Sequence, residues 1–229
     1  RGLFGMSETL ALFAIQPDGA RLERRALAGG VPVAAAARAR IAARHPQLGG
    51  RGPLLLLPGR GTRLKGHADA IALLADLRGS GLDARLWMPG AVQAGRAAYL
   101  AELAELARVA RVDAALAITE ATTDIAQAYA ACDLVLQLSR KPEAFGRTVI
   151  EAHAVGRPVL GWAHGGVGEL LRALQPQGAV APFDQALLAA TARRLLAQPQ
   201  PPPAGTMQAF QLHAMQGATL ALYQSLVGE

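Results

Sequence analysis

The sequence predicts an α/β fold in which a doubly wound, Rossmann-like parallel sheet carries helices on both faces. Two observations predict it. From Pro53 onward, short apolar runs alternate with helical stretches, and the first two apolar runs end at Pro-Gly pairs. An apolar run without polar alternation is typical of a strand that is buried on both faces. Strand–helix repeats join parallel strands through crossover helices that cover the two faces of the sheet.

The elements follow one another in a regular order. The first strand is an all-leucine run that stops at Pro58-Gly59, and the helix after it is closed by Gly79 and Gly81. Strands are predicted at residues 54–57, 84–88, 114–118, 134–138, 158–162 and 179–180. Helices are predicted at residues 34–44, 67–78, 96–110, 124–131, 148–155, 167–174, 186–197 and 207–227.

Three segments follow from this order. Residues 1–52 contain turn signals and one helical stretch but no strand–helix alternation, and we interpret them as a connector with the remnant of an N-terminal domain. Residues 53–198 form the Rossmann-like domain, and residues 199–229 form a proline-rich linker and a C-terminal helix. Because the first residue is Arg1 and not methionine, we expect the natural chain to be longer.

The composition is that of a chain with an ordinary core. Of its 229 residues, 52% are hydrophobic, with little aromatic content, so the core should consist of alanine, leucine and valine. The single cysteine, Cys132, excludes a disulfide framework and is predicted to be a small buried side chain. No uncharged apolar run approaches the roughly 20 residues of a membrane span.

The net charge of +6 is carried almost entirely by arginine, since Lys65 and Lys141 are the only lysines. A basic chain suits anionic partners such as phosphates, nucleic acid or an anionic membrane surface. The arginines are scattered, however, and no basic run with aromatics, zinc-finger spacing or RNA-binding motif is present. We therefore expect no nucleic acid partner and interpret most arginines as solvated side chains on helix faces.

The loops after the strands are the candidate sites, because such sheets bind ligands at the carboxyl ends of their strands. The first loop, residues 59–66 (GRGTRLKG), is rich in glycine and precedes a helix whose N-terminus favours anions. Arg60 can bind phosphate oxygens in a fork, and Lys65 supplies a point charge. The loop matches neither the P-loop nor the dinucleotide fingerprint. It predicts a diphosphate site, and a plain basic turn is the alternative.

The second loop, residues 142–151 (PEAFGRTVIE), follows the fourth strand. Glu143 is predicted to lie just before a helix and Glu151 about two turns into it. Phe145 and Gly146 would offer backbone N–H groups at the helix start. Two carboxylates around free N–H groups suit a polyhydroxylated ligand, and the alternative is a helix cap with an exposed charge.

The third loop, residues 164–169 (HGGVGE), follows the fifth strand and again opens a helix. Its two consecutive glycines, Gly165 and Gly166, suit a phosphate. The alternative is a tight strand–helix turn that leaves His164 on the surface.

Together the three loops resemble the C-terminal, donor-binding domain of retaining GT-B glycosyltransferases of family 4, also called glycosyl transferases group 1. The matching pieces are G-R and K-G within residues 59–66, E-x-F-G and E-A within 143–152, and G-x-P-V with G-G-x-x-E within 156–169. Glu143 and Glu151 fit the Glu-x7-Glu pattern of the family. The resemblance covers residues 29–223. Residues 139–147 and 164–169 are most similar to bacterial enzymes that build lipopolysaccharide or other surface glycans.

This resemblance implies a role for each matching residue. Arg60 and Lys65 would bind the donor diphosphate and stabilise the leaving nucleotide, without a metal or other cofactor. Glu143 would contact hydroxyls of the donor sugar, and Glu151 would hold the ribose. Residues 118–123 would line the base. Further donor-binding positions are Gly59, Thr122, Phe145, Gly146, Arg147, Thr148, Gly165 and Gly166.

The resemblance also implies partners and a location. The donor would be a nucleotide diphosphate sugar, and the acceptor a lipopolysaccharide, another surface glycan or a lipid-linked glycan. Transfer would retain the anomeric configuration. The acceptor would bind mainly to an N-terminal domain, for which residues 1–28 are too few, so we expect the fragment alone to be inactive or nearly so. The enzyme would be bacterial and cytoplasmic, with peripheral association at the inner face of the cytoplasmic membrane left open.

Two other classes remain open at this point. One is a nucleotide-sugar epimerase or a phosphorylase of the same architecture, although a phosphorylase would need a lysine that anchors pyridoxal phosphate. The other is a non-catalytic nucleotide-sugar-binding or scaffold domain. One departure from the family pattern is His153, which stands where methionine is usual after Glu-Ala.

Overall fold

The computed structural model describes residues 30–199 and 207–227. The first part of the predicted connector and most of the proline-rich linker lie outside these residues. The strands are β1 (Leu54–Leu56), β2 (Arg85–Pro89), β3 (Leu116–Thr119), β4 (Leu134–Gln137), β5 (Val159–Trp162) and β6 (Ala179–Val180). The helices are α1 (Gly30–Arg44), α2 (His67–Gly79), α3 (Ala97–Val109), α4 (Ile125–Ala131), α5 (Arg147–Ala154), α6 (Gly165–Leu174), α7 (Gln185–Ala197) and α8 (Leu212–Val227).

The six strands form one parallel sheet in the order β3-β2-β1-β4-β5-β6. The chain runs outward from β1 to β3, crosses back to β4, and then runs outward again to β6. The direction of winding therefore reverses between β1 and β4, and a crevice opens there at the carboxyl ends of the strands. This arrangement confirms the predicted fold class.

The two faces of the sheet bury separate hydrophobic clusters. In β1, Leu55 and the following Leu57 face one cluster, whereas Leu54 and Leu56 face the other. Helices α2, α3 and α7 cover the first face, and α4, α5 and α6 cover the second. Successive side chains of a strand point to opposite faces, so a strand covered on both sides reads as a continuous apolar run. This is why the all-leucine run predicted β1 correctly.

Helix α1 packs on the domain although it lies before the predicted boundary at Pro53. Ile41 packs against the second cluster, and Arg38 Nη1 lies 2.8 Å from Asp133 Oδ2. The same carboxylate oxygen accepts a 2.7 Å hydrogen bond from the backbone N–H of Leu54. Asp133 therefore ties α1 to the start of β1. The predicted helix at 34–44 is confirmed and begins about one turn earlier.

Several element boundaries differ from the predictions for local reasons. Strand β3 begins later than predicted because residues Asp113–Ala115 form a 3-10 turn. Helix α4 begins after Asp124, whose side chain caps it by accepting from the backbone N–H of Gln127 at 3.2 Å. Helix α8 begins at Leu212, because a 3-10 turn and Gln211 precede it.

Two predictions that concern single features can also be compared with the structure. Cys132 is fully buried as predicted, and burial raises the pKa of its thiol to about 12. Among the described residues, no helix combines the length and apolar character that crossing a membrane requires.

Gly66 fixes the position of the first loop against the sheet. Its φ is +74°, and a Cβ atom at this position would lie only 2.0 Å from the carbonyl oxygen of Leu138. Only glycine meets both conditions, because it lacks the Cβ that would clash and it adopts positive φ without strain. The loop after β1 can therefore approach the end of β4 directly.

We predict that Gly66→Ala lowers the free energy of unfolding by about 2–4 kcal/mol, because it combines backbone strain with a steric clash. Gly79→Ala in the same helix is the matched control, since nothing lies within 4 Å of its added methyl group. The control should be neutral or stabilising by up to about 1 kcal/mol. Urea unfolding measures both, and equal stability of the two variants would contradict the close approach.

Candidate active site

The loops after β1 and β4 meet at the point where the winding of the sheet reverses. Lys65 Nζ forms an ion pair with Glu143 Oε1, which joins two residues far apart in sequence. The side chain of Lys65 is 27% exposed and that of Glu143 is 24% exposed, so the pair is sheltered but open to a ligand. Two residues that the sequence assigned to one site are therefore in direct contact.

Glu143 is held by two further side chains that the sequence analysis did not identify. Gln137 Nε2 donates to Oε2 at 3.0 Å, and the Ser139 hydroxyl donates to Oε1. Both donors are buried, at the end of β4 and just beyond it. Because donors reach both oxygens, the carboxylate has a fixed orientation before any ligand arrives. A polar residue at the end of an apolar strand was the signal that could have identified Gln137.

The third loop packs against the second. The backbone N–H of Gly166 donates to the carbonyl oxygen of Glu143 at 2.8 Å. A Cβ at Gly166 would lie 2.5 Å from the carbonyl oxygen of Phe145, so this approach also needs a glycine. His164 Nε2 lies 2.7 Å from the carbonyl oxygen of Ser139, and it must be the donor because a carbonyl only accepts. His164 is therefore half-buried and hydrogen-bonded, which differs from the alternative of a tight turn that leaves His164 on the surface.

Glu151 lies one turn into α5, not two, because residues 143–146 precede the helix and only four residues separate Glu151 from its first residue, Arg147. Its Oε1 pairs with Arg147 Nη2 at 2.8 Å, and its Oε2 accepts from the hydroxyl of Tyr129 at 2.9 Å. The Glu151 side chain is 12% exposed, whereas that of Arg147 is 66% exposed. Burial, followed by the nearby Glu151 charge, raises the pKa of Tyr129 well above its ordinary value. Tyr129 therefore remains a hydrogen-bond donor to the carboxylate.

The start of α5 places the other residues of the second loop. Gly146 precedes the helix with a φ of +96°, and Phe145 is half-buried against the second hydrophobic cluster. Thr148 is half-buried in the first turn, near the Tyr129 hydroxyl. The N–H groups in the first turn of a helix have no acceptor in the preceding turn, so the start of α5 can offer donors to a ligand.

Arg60, Gly59 and Thr122 form no hydrogen bond with the Lys65–Glu143 pair. Arg60 is exposed, and its side chain has no hydrogen bond or ion pair within the described part of the chain. The backbone N–H of Gly59 donates to the carbonyl oxygen of Pro89 at 3.0 Å, which ties the loop to β2. Thr122 is half-buried and accepts from the backbone N–H of Asp124 at 3.3 Å.

Thr122 belongs to a separate cavity of about 580 Å³ beyond β3. The loop at residues 119–124 forms one wall, and Trp87 with the C-terminal half of α1 forms the other. Trp87 Nε1 donates to Thr119 Oγ1 at 3.0 Å, which joins the two walls. The cavity is large enough for a planar heterocycle.

His67 lies beneath the first loop and was not identified as a site residue from the sequence. It is fully buried, and its Nδ1 lies 3.3 Å from both the Thr62 carbonyl oxygen and the Tyr99 hydroxyl. Burial lowers the pKa of His67, the Thr62 contact opposes this, and the Lys65 charge lowers the pKa further. A neutral imidazole therefore supports the loop that carries Lys65.

A metal site is not apparent in the part of the chain that the structure describes. No group of three or more histidine, cysteine, aspartate or glutamate side chains is arranged there to hold an ion.

The family model for glycosyl transferases group 1 matches residues 41–208, which include all three loops. The chain belongs to this family. Its fold is that of GT-B glycosyltransferases: the structure is similar to a glycosyltransferase from Rickettsia africae with a TM-score of 0.68 and 21% identity over 96% of this chain. It is also similar to Anabaena HepE in complex with UDP-glucose, with a TM-score of 0.68 and 20% identity over 94% of this chain.

A third similar structure is WaaG, a glycosyltransferase involved in lipopolysaccharide biosynthesis, with a TM-score of 0.57 and 24% identity. It is matched over 80% of this chain and 45% of its own. The chain spans about half the length of these relatives, with 55% of both the Rickettsia and the Anabaena proteins covered. The sequence matches no curated protein.

The buried histidines predict how stability depends on pH. Burial lowers the folded-state pKa of both His67 and His153 below the ordinary value of about 6.5. The contribution of the two neutral histidines to the free energy of unfolding is fully present above pH 6.5. It is lost as the pH falls toward the folded-state pKa, because only the unfolded chain then binds the protons. We predict that the free energy of unfolding decreases between pH 7.5 and 5.5, and urea unfolding at the two pH values measures this decrease.

A matched comparison isolates the histidine under the loop. His67→Gln should show a smaller loss of stability between the two pH values than the unsubstituted chain, whatever its stability at pH 7.5. An equal loss in both proteins would contradict the assignment of His67 as a neutral buried group.

Proposed function

We propose that this chain is the donor-binding half of a glycosyltransferase that transfers a sugar from a nucleotide diphosphate sugar. The observation that carries the proposal is the Lys65–Glu143 pair at the reversal point of the sheet. A cation for a diphosphate and a fixed carboxylate for sugar hydroxyls stand side by side, and the family match supports this interpretation.

In the proposed complex, Lys65 leaves its ion pair with Glu143 and pairs with the donor phosphates instead. The ammonium group then neutralises charge that develops on the leaving nucleotide diphosphate, in a site that needs no metal. Arg60, which is exposed and has no partner among the described residues, adds a second cation from the same loop. Gly59, Gly165 and Gly166 shape the proposed donor site through the backbone, since the N–H groups of Gly59 and Gly166 hold their loops to the carbonyl oxygens of Pro89 and Glu143.

Glu143 keeps its orientation when Lys65 moves, because Gln137 and Ser139 still donate to it. Its vacated lone pairs can accept hydroxyl groups of the donor sugar. A carboxylate with donors on both oxygens is a weak nucleophile, so its proposed role is binding and orientation. We propose that transfer retains the anomeric configuration by attack on the face from which the nucleotide leaves.

The nucleoside would extend from the diphosphate toward α5 and β3. Glu151 would accept the ribose hydroxyls after the exposed Arg147 turns away, while Tyr129 continues to hold one carboxylate oxygen. The cavity at Thr122 and Trp87 would take the base. HepE, a similar structure, was determined with UDP-glucose, so uridine nucleotides are the first ligands to test.

The proposed acceptor is a lipopolysaccharide or another surface glycan, and the similarity to WaaG supports this class. The acceptor would meet this half from the part of the enzyme that corresponds to the remaining length of the relatives. We propose a bacterial, cytoplasmic enzyme. The net charge of +6 is compatible with a peripheral position at an anionic membrane surface.

We predict that the chain binds UDP, GDP or ADP in isothermal titration calorimetry and that Lys65→Ala weakens this binding about 10- to 100-fold, the usual loss for a hydrogen bond between charged groups. The same variant should weaken binding of inorganic pyrophosphate equally. Lys141→Ala is the matched control, since Lys141 is the other lysine, is exposed, and follows β4. Absence of nucleotide binding at millimolar concentration, or equal effects of the two substitutions, would refute the proposal.

Glu151→Ala tests the ribose assignment separately. It should weaken UDP about tenfold but leave pyrophosphate binding unchanged, because only the nucleotide carries ribose hydroxyls for the carboxylate. Equal losses of affinity for UDP and pyrophosphate would contradict the ribose assignment, because Glu151 would then act on the phosphate site or on the stability of the fold.

A further inference from the structure

Phe183 has a backbone conformation that its side chain disfavours. It follows β6 with a φ of +69°, in the left-handed region where a bulky residue is an outlier and glycine is the usual choice. Of the described non-glycine residues, only Arg111 shares a positive φ. Such residues persist where their surroundings hold them, and they concentrate at functional sites.

The surroundings of Phe183 hold its ring in one place. The ring centroid lies 6.0 Å from that of Trp162 and 5.9 Å from that of His164, both edge to face. The Arg140 guanidinium lies over the ring, 4.8 Å from the centroid. Arg140 is itself fixed, because Nη1 donates to both oxygens of Asp69 at 2.7 and 2.8 Å.

Despite these contacts, 46% of the Phe183 surface is exposed. A phenyl ring that served only the core would be covered, since its stabilising effect comes from removing apolar surface from water. Here the fold strains the backbone and surrounds the ring with three partners, yet leaves a large part of it open to solvent. The arrangement fits a surface that a ligand covers.

The position of the Phe183 ring indicates which class of ligand covers it. Along the carboxyl edge of the sheet, Lys65 follows β1, Glu143 follows β4, His164 follows β5 and Phe183 follows β6. Strands lie about 4.8 Å apart, so the loops after β4 and β6 are separated by about 10 Å. His164 joins these loops, since it contacts the Ser139 carbonyl oxygen and the ring of Phe183.

The donor occupies the other side of Glu143 in the proposed function, with its phosphates at β1 and its base beyond β3. The β6 side of Glu143 is then the side that the nucleotide leaves open to the molecule that receives the sugar. Pyranose rings present an apolar C–H face that packs on an aromatic face. The guanidinium of Arg140, which lies over the Phe183 ring and is half-exposed, carries hydrogen-bond donors for hydroxyls.

We propose that Phe183 is a stacking platform for a pyranose ring of the acceptor glycan. This rests on the proposed function, because it takes the donor to lie at Lys65 and Glu143. It assigns part of acceptor recognition to this half of the enzyme, with Phe183 as the binding residue and Arg140 as the residue that positions its ring.

Saturation-transfer NMR on the whole chain with methyl β-D-glucopyranoside tests the proposal, since this sugar has an apolar ring face. Saturation should reach its ring C–H protons, and sorbitol, an acyclic polyol without such a face, should receive little. Phe183→Gly should raise the dissociation constant of the glucoside about fivefold or more. Phe183→Tyr should bind like the unsubstituted chain, and so should Tyr223→Ala, which removes an exposed aromatic on α8.

A stability measurement separates loss of the platform from loss of the fold. Glycine adopts a φ of +69° without strain, so Phe183→Gly should keep or raise the melting temperature while it loses sugar binding. If that variant does not fold, Phe183→Asn replaces it, because asparagine also tolerates this conformation. Unchanged glucoside binding in the folded variant, or equal saturation of sorbitol, overturns the proposal.

Parallel titrations keep this inference distinct from the proposed function. Phe183→Gly should bind UDP as tightly as the unsubstituted chain, and UDP should not displace the glucoside. If the chain binds UDP but shows no Phe183-dependent glucoside binding, only the platform is wrong. If UDP does not bind at all, the donor assignment fails. If UDP-glucose, but not UDP, displaces the glucoside, the ring holds the donor sugar and the acceptor assignment is overturned.

Discussion

The ion pair between Lys65 and Glu143 is the contact on which the candidate site depends, although it contributes little to the stability of the fold. Each side chain is about a quarter exposed, and ion pairs at that exposure are worth on the order of 0–1 kcal/mol. The backbone holds the loops in place instead, through the close approach of Gly66 to Leu138 and the bond from Gly166 to Glu143. The pair is therefore free to exchange partners when a ligand with the same charge pattern arrives.

Charge pairing also separates the structural arginines from the candidate functional one. Composition suggested that most arginines are solvated, but several join elements that are distant in sequence. Arg140 pairs with Asp69 on α2. Arg193 on α7 pairs with Asp76, which also lies on α2. Arg38 pairs with Asp133. Arg60 differs, because its side chain has no such partner in the described ranges, and an unpaired cation beside a crevice is available to an anion.

The sequence predicted the sheet well because a buried parallel strand has a local signature. It placed Lys65 and Glu143 at the same edge of the sheet because their loops follow recognisable strands. It overestimated the depth of Glu151 in the helix by a turn, because about two turns is its distance from Glu143 and residues 143–146 lie before the helix. His67 and Ser139 were missed for another reason. Their contacts depend on how the loops fold, because His67 meets the Thr62 carbonyl oxygen and the Tyr99 hydroxyl, and Ser139 donates to Glu143.

Phe183 illustrates the limit of prediction from sequence most clearly, because sequence preferences argue against its conformation. A phenylalanine after a short strand predicts a buried or extended residue, and only the fold shows that it takes the conformation of a glycine. The two sides of Glu143 then differ in a way that suits two substrates. On the β1 side, the partly exposed Lys65 and the exposed Arg60 carry the positive charge that the proposed donor phosphates require. On the β6 side the aromatic ring is held by Trp162, His164 and the anchored Arg140. A rigid surface loses little conformational entropy when it binds, so it can orient an uncharged ring that offers only weak contacts.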